Sequence, residues 1–344
     1  MSYEVIVIGG SFAGLSAALQ LARARRRVLV LDSGQPRNRF AQFSHGLFGH
    51  DGQTPSALLE EARSQLLSYD TVSFTEGLVS DAAVTSRQTA GGRDQLTDYA
   101  DNAEPKADGS GQKAERRRQD AGSRTDEEFA VTVAGGPVHT AARLILATGV
   151  RDELAPIPGM QERWGISVLH CFYCHGYEVA GRRLAVLATS DRALQTAMLL
   201  PDWSEHVTLF TNRALNLSPE QMDELGRRGV SVETKAVVGL LGDSPTLSAL
   251  RLEDGRTIAV DAIFTNSRTR MASPLAEQLG CEFDDGPSGP FIRTGADKQT
   301  TVPGVYAAGD AARAGHNASW AVADGVTAGI SAHQSLTLNK PACR

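Results

Sequence analysis

The stretch "YEVIVIGGSFAGLSAALQLARARRRVLVLDSG", residues 3–34, constrains the fold more than any other part of the chain. An apolar run at residues 5–8 enters a glycine-rich turn, and a helical pattern follows from about residue 14 to 25. A second apolar run, residues 28–31, ends on Asp32. Strand, crossover helix and strand in this order predict a parallel pair within a doubly wound sheet. The turn has the spacing G-x-G-x-x-G, with Ser11 in place of the middle glycine. Gly9 supplies the tight turn and Gly14 permits close helix–strand packing. Ser11 is small enough to let a pyrophosphate approach the helix N-terminus, and it can donate a hydrogen bond. Asp32 is placed to accept hydrogen bonds from an adenosine ribose.

A chain of 344 residues exceeds one comfortable core and suggests two domains. The expected class is α/β, with two dinucleotide-binding (Rossmann-like) domains, the second inserted in the first. Residues 1–150 and 269–344 form the first, and residues 151–268 the second. Pro156 and Pro158 mark the crossing between them. "TTVPGVYAAGDAARAG" reads as a returning strand that opens onto a final helix. Between the strand-like pieces "TVSFTEGLVSDAAVT" and "FAVTVA" lies a hydrophilic stretch, 86–127, with almost no large apolar residue. It buries too little surface to offset its ordering entropy and is expected to be a disordered insertion at a hairpin tip. Its alternative use is an arm for a partner, held by the arginines at 116–118.

Composition excludes several classes. Hydrophobic content of 41% and charged content of 22% are ordinary for a globular protein. A net charge of -6 gives no electrostatic footprint for nucleic acid or an anionic membrane. No apolar run approaches the roughly 18 residues that span a bilayer. The first strand begins at once and leaves no room for a signal peptide, so a cytoplasmic location is expected.

Four cysteines occur: Cys171, Cys174, Cys281 and Cys343. In a reducing compartment they do not read as a disulfide framework. The run "LHCFYCHGYE" sets Cys171 and Cys174 two residues apart, with His170 and His175 flanking them. A haem anchor, part of a zinc site, a pair of buried thiols and a redox dithiol all match such a run. Zinc would need two more ligands at suitable spacing. Phe172 and Tyr173 read as packing residues, and His170 as a structural histidine. His45 and His50 in "SHGLFGHDG" read as loop histidines on a polar surface, the alternative being contact with substrate or flavin. Trp320 reads as a cavity cover or a dimer contact, and Cys343 as part of a frayed end.

"TAARLILATGV" and "TTVPGVYAAGDAA", together with the first glycine turn and the C-x-x-C, complete a pattern. The chain resembles the low-molecular-weight thioredoxin reductases, which are FAD-dependent pyridine nucleotide-disulfide oxidoreductases. The resemblance covers nearly everything except the hydrophilic insertion. It implies that FAD is bound by Gly9, Ser11, Phe12, Ala13, Gly14, Asp32, Ser33, Asn38, Val79, Ala147, Thr148, Gly149, Gly309, Asp310, Ala318 and Ser319. Asp310 would meet the ribityl chain. The resemblance also implies that Cys171 is the outer cysteine, facing substrate, and Cys174 the inner one, facing the flavin. His175 stands where the reductases carry an acidic residue, and its ordinary pKa near 6.5 suits proton transfer. A homodimer is a further implication. Beside a flavin domain the redox dithiol has a mechanism, and it is the preferred reading of the pair.

The second domain departs from the pattern. Where a glycine loop would follow "RRLAVL", this chain has "ATSDRA", whose Cβ atoms and Asp191 both oppose a pyrophosphate. Only Arg213 remains where the family has two arginines for an adenosine 2'-phosphate; losing one charge-assisted bond costs roughly tenfold to a hundredfold in affinity. Residues 265–267 replace a glycine-containing turn. NADPH is therefore doubtful as the electron source. The pattern is most similar to the FAD-dependent dithiol oxidases of the gliotoxin and holomycin type. There electrons pass from a small-molecule dithiol through the cysteine pair to FAD, with oxygen as acceptor. The alternative is an NADPH- or ferredoxin-dependent reductase of a thioredoxin-like protein. No metal, nucleic acid or membrane partner is expected.

Overall fold

A computed structural model describes residues 2–86 and 127–338. β1 (Ser2–Ile8) and β2 (Val28–Asp32) are parallel and joined by α1 (Phe12–Arg23). Residues 5–8 and 28–31 are buried on both faces, which is why these strands read as unbroken apolar runs. The helix starts earlier than the expected residue 14 because the chain turns at once at Gly9 (φ 109°). It stops short of residue 25 because Arg25 (φ 60°) leaves helical geometry.

α2 (Pro55–Leu67) leads to β3 (Val72–Glu76), followed by β4 (Val79–Ser86), β5 (Glu127–Val133) and β6 (Val138–Leu146). Their order across the sheet is β3-β2-β1-β6-β5-β4. β4 and β5 are antiparallel and close on the pair Ser86 and Glu127. The expected insertion between these two residues, with its arginines at 116–118, lies outside the described residues, as does Cys343.

β7 (Val150–Glu153) leads into a second sheet unit. There β8 (Val168–Leu169), α3 (Phe172–His175), β9 (Leu184–Leu187), α4 (Arg192–Leu199), β10 (Val207–Phe210), α5 (Pro219–Arg227) and β11 (Ser231–Glu233) follow in turn. β12 (Val237–Leu241), β13 (Ala249–Leu252) and β14 (Thr257–Ala259) form an antiparallel sheet, and β15 (Ala262–Thr265) rejoins the parallel one. The parallel order is β11-β10-β9-β15-β8. Leu187, Phe210 and Ile263 on one face share a core with Val237, Leu250 and Leu252 of the antiparallel sheet.

β16 (Arg268–Met271) carries the chain back and pairs antiparallel with β7, so the outgoing and returning segments are hydrogen-bonded to each other. After α6 (Leu275–Gln278) and the hairpin of β17 (Phe283–Gly286) and β18 (Gly289–Ile292), β19 (Val305–Ala307) pairs parallel with the end of β6. The final helix does not follow directly, as the pattern suggests. A single 3-10 turn, Gly309–Ala312, intervenes before α7 (Ala318–Leu338), which packs along α1 through Ala321, Ala328 and Ala332. Among the described residues no helix is long and apolar enough to cross a membrane.

Candidate active site

In the first sheet the connections run outward on either side of β1 and β6, so a crevice opens at the carboxyl ends of these two strands. It holds a cavity of about 430 Å³. Gly9 sits at its base, with its N–H on Leu31 O at 2.8 Å. A Cβ at Gly9 would lie 2.2 Å from Ala147 O, so only glycine lets the two strand ends meet. Ser11 begins α1 without capping it by its side chain, whereas α2 and α5 are capped by Thr54 and Ser218. The first turn of α1 therefore keeps N–H groups without a side-chain partner beside the cavity. Asp32 Oδ1 accepts the Gly10 N–H at 2.9 Å, leaving Oδ2 without a protein partner among the described residues. An uncapped helix start beside a carboxylate fits the pyrophosphate and ribose of an adenine dinucleotide.

Of the residues expected to touch the cofactor, Gly9, Ser11, Phe12, Ala13, Asp32, Ser33, Asn38, Val79, Ala147, Thr148, Gly149, Gly309, Asp310 and Ala318 line this cavity. Cys174 and His175 line it too, brought in by the second unit. Three expected residues lie outside the wall. Gly14 is buried beneath the turn, where a Cβ would come 1.8 Å from Gly9 O; it serves packing. Ser319 donates its N–H to Asn317 Oδ1 and its hydroxyl to Gly46 O. Cys171 is half-buried and is not part of the wall, although it is bonded to Cys174, which is.

Cys171 and Cys174 are joined by a disulfide bond across the start of α3, and Cys171 Sγ accepts the Cys174 N–H at 3.1 Å. Phe172 and Tyr173 meet the Trp203 ring at 5.4 and 5.7 Å between centroids, which holds the short helix against the second unit. Cys281 is buried 3.5 Å from the Thr300 hydroxyl, and burial pushes its thiol pKa up, away from reactivity.

A charge cluster absent from the sequence reading borders the same cavity. Arg37 grips Asp152 with two hydrogen bonds, 2.8 and 2.6 Å, and reaches Asp310 at 2.9 Å. The Ser267 hydroxyl adds a bond to Asp152 at 2.9 Å. Burial opposes ionisation of Asp152, but the hydrogen bonds and charge of Arg37 hold its carboxyl below the usual range. His170, His175 and His316 also line the wall. His170 is exposed in the cavity wall, with the Trp164 ring 5.8 Å and the His175 ring 6.4 Å away between centroids. Burial, then the charge of Arg37, push its pKa down to about 3, so the imidazole is neutral. Burial also lowers His175 and His316. His45 is not a surface histidine: it lies in the wall, 3.3 Å from Glu178 and 3.6 Å from Asp51. His50 instead meets Gln53 at 3.4 Å. Trp320 lies outside the wall, half-exposed, with the Arg313 guanidinium 5.0 Å from its ring.

At the corresponding end of the second sheet, the segments after β9 and β15 are bonded to each other. The Thr189 hydroxyl bonds Asn266 O at 2.6 Å. The N–H groups of Ala193 and Leu194 turn inward onto Ser190 O and Asp191 O. Arg213 is ion-paired with Glu253.

A nucleotide cradle with a disulfide in its wall defines an α/β oxidoreductase acting on dithiols and disulfides. The chain belongs to the pyridine nucleotide-disulphide oxidoreductase family, whose model matches residues 3–325. The family binds FAD, and the cradle around Gly9, α1 and Asp32 fits it. Thioredoxin reductase tcpT of Claviceps purpurea (strain 20.1) is 32% identical, covering 97% of this chain and 94% of its own length. An oxidoreductase from Agrobacterium tumefaciens is 40% identical with a TM-score of 0.83, over 99% of this chain and 100% of that one. The solved structure of HlmI is 34% identical with a TM-score of 0.81, over 98% and 93%. The chain is thus a thioredoxin reductase-like enzyme.

Proposed function

We propose that this enzyme is an FAD-dependent dithiol oxidase that closes a disulfide in a small-molecule dithiol, with oxygen as final acceptor. The observation that supports this reading is the contrast between the two crevices. The one at β1 and β6 is open and has Cys174 in its wall; at the one at β9 and β15, Thr189 bonds to Asn266 across the two strand ends, the turn has no glycine, and Arg213 is paired with Glu253. A glycine-free turn there disfavours a second nucleotide, and in this reading electrons enter from the thiol side.

In this reading a substrate thiolate attacks Cys171 Sγ, breaking the bond to Cys174 and forming a mixed disulfide. The second substrate thiolate then attacks the substrate sulfur of that mixed disulfide and releases Cys171. The substrate loses two electrons and two protons, and the cysteine pair gains the electrons. Neutral His175 takes the proton of the substrate thiol as it becomes the attacking thiolate, and gives that proton up again as the pair reoxidises and peroxide forms. The Arg37 cluster holds Asp310 at the cavity wall. When bound, FAD supplies a two-electron carrier beside Cys174; overall, dithiol and oxygen give disulfide and hydrogen peroxide. The wall residues from Gly9 to Ala318 named above are the proposed FAD contacts. The same reading divides the chain into residues 1–150 with 269–344 and 151–268, and takes it to be a cytoplasmic homodimer.

The runner-up is an NADPH- or ferredoxin-dependent thioredoxin reductase, supported by the name of the Claviceps relative. Anaerobic stopped-flow mixing separates the two. The oxidised flavin band bleaches with a dithiol, recovers in air with release of peroxide, and stays unbleached with Cys174→Ser. Rapid bleaching by micromolar NADPH, with none by the dithiol, would sink the oxidase reading.

A further inference from the structure

We propose that His45 is the second proton acceptor of the reaction at the cysteine pair, held for that task between Glu178 and Asp51. This rests on the oxidase reading above and adds a residue to it. Turning a dithiol into a disulfide breaks two S–H bonds, and a single base beside Cys174 holds only one of the two protons. His175 takes the first. The second needs another group on the same wall.

His45, His170, His175 and His316 all line that wall, in very different surroundings. Burial and the Arg37 charge push His170 down to about 3, so a proton there would face a fixed cation. Burial lowers His316 as well, and the Asp310 carboxylate near it is already taken by Arg37 at 2.9 Å. His45 is placed the opposite way. Its Nε2 lies 3.3 Å from Glu178 Oε1 and its Nδ1 lies 3.6 Å from Asp51 Oδ2, so an imidazolium there has a carboxylate on each side. The Gly46 N–H donates to Asp51 Oδ1 at 2.7 Å, which keeps that carboxyl ionised below its usual range. Asp51 belongs to the same loop as His45, while Glu178 sits in the 3-10 turn Tyr177–Val179, three residues beyond His175. The Asp51 side chain is 69% exposed, so the ring faces the cavity on one side and reaches solvent through its partner on the other.

His175 is the remaining ionisable neighbour of His45 among the described residues, and a charge on His45 lowers it. The two rings therefore fill in order, and the second proton loosens the first. In the full exchange two S–H bonds and the Cys171–Cys174 bond break, and one S–S bond forms in the substrate. The pair keeps the two electrons as thiolates, and the two protons rest on His175 and His45. Both protons leave as the electrons pass on to oxygen, which takes them up as hydrogen peroxide.

The test mixes full-length, FAD-loaded enzyme anaerobically with dithiothreitol at pH 7 and at pH 9.5 and follows bleaching of the oxidised flavin band. Wild type, His45→Gln and Glu178→Gln are compared. A positioned base is worth about 10²-fold or more, so His45→Gln should slow bleaching by that much at pH 7. At pH 9.5 the loss should shrink below about threefold, because a free thiol ionises unaided near pH 8.5. Glu178→Gln should lose about tenfold at pH 7, the worth of one charge-assisted contact, and recover in the same way. A His45→Gln rate within about twofold of wild type at pH 7 overturns the proposal. So does an equal loss at both pH values, which marks a ring that only holds its loop in place. If His45→Gln purifies without flavin, Glu178→Gln, on the other unit, decides by the same two rates. Wild-type enzyme that no dithiol bleaches at either pH overturns the oxidase reading, whereas a bleaching wild type beside an unaffected variant overturns this proposal alone.

Discussion

His175 follows the inner cysteine in sequence and shares the cavity wall with it. Burial lowers its pKa from 6.5, while the nearby Glu178 charge works the other way. The folded value lies below the ordinary one, so the ring is neutral at pH 7 and free to accept a thiol proton. Dithiol oxidation should therefore persist through pH 6.5 and fall only at lower pH, as the ring becomes charged. His175→Gln should cut flavin bleaching by about 10²–10⁴-fold, the usual worth of a positioned base, and remove that acid limb. A pH profile of the anaerobic bleaching rate checks both. The cysteines and His175 could be read from five adjacent letters. Arg37 could not, because its carboxylate partners are 115 and 273 residues away and no local spacing encodes them. His45 was misread for a related reason: its loop is polar, and Glu178, from the other unit, closes over it.

α1 shows how one element serves both fold and site. Its buried face comes from Ala13, Leu15, Ala17, Ala18 and Leu21, a pattern visible in the letters. Its exact start was not visible, since that depends on how sharply Gly9 turns. Gly14 joins the two roles. A Cβ there would meet the Gly9 carbonyl at 1.8 Å, and because the obstacle is backbone, the helix must lift from the strand. Gly14→Ala should cost about 3 kcal/mol, at the upper end for overpacking, and should purify with less flavin. Thermal unfolding and the ratio of yellow absorbance to protein measure the two effects. The last helix was harder to place, because Gly309 (φ 73°) starts a separate turn that carries Asp310 into the cavity wall.

Across the whole molecule, the parallel strands and their crossings were legible because buried strands leave continuous apolar runs. The joins between units were not, since they depend on single polar pairs. The β4–β5 hairpin closes on Ser86 and Glu127, so the chain leaves and re-enters at neighbouring points. Replacing residues 87–126 with a four-residue turn shortens the connection about tenfold and should stabilise the protein by up to about 2 kcal/mol through closure entropy. Dithiol oxidation should be unchanged; a urea melt and a peroxide assay on the deletion variant check this. The uncapped start of α1 has a consequence outside the test tube. A helix end that waits for a phosphate is completed only when the vitamin-derived ligand arrives, and binding in thousandfold excess over Kd adds about 4 kcal/mol. Flavin-starved cells should then hold less of this polypeptide, because the empty chains spend more time open to proteases.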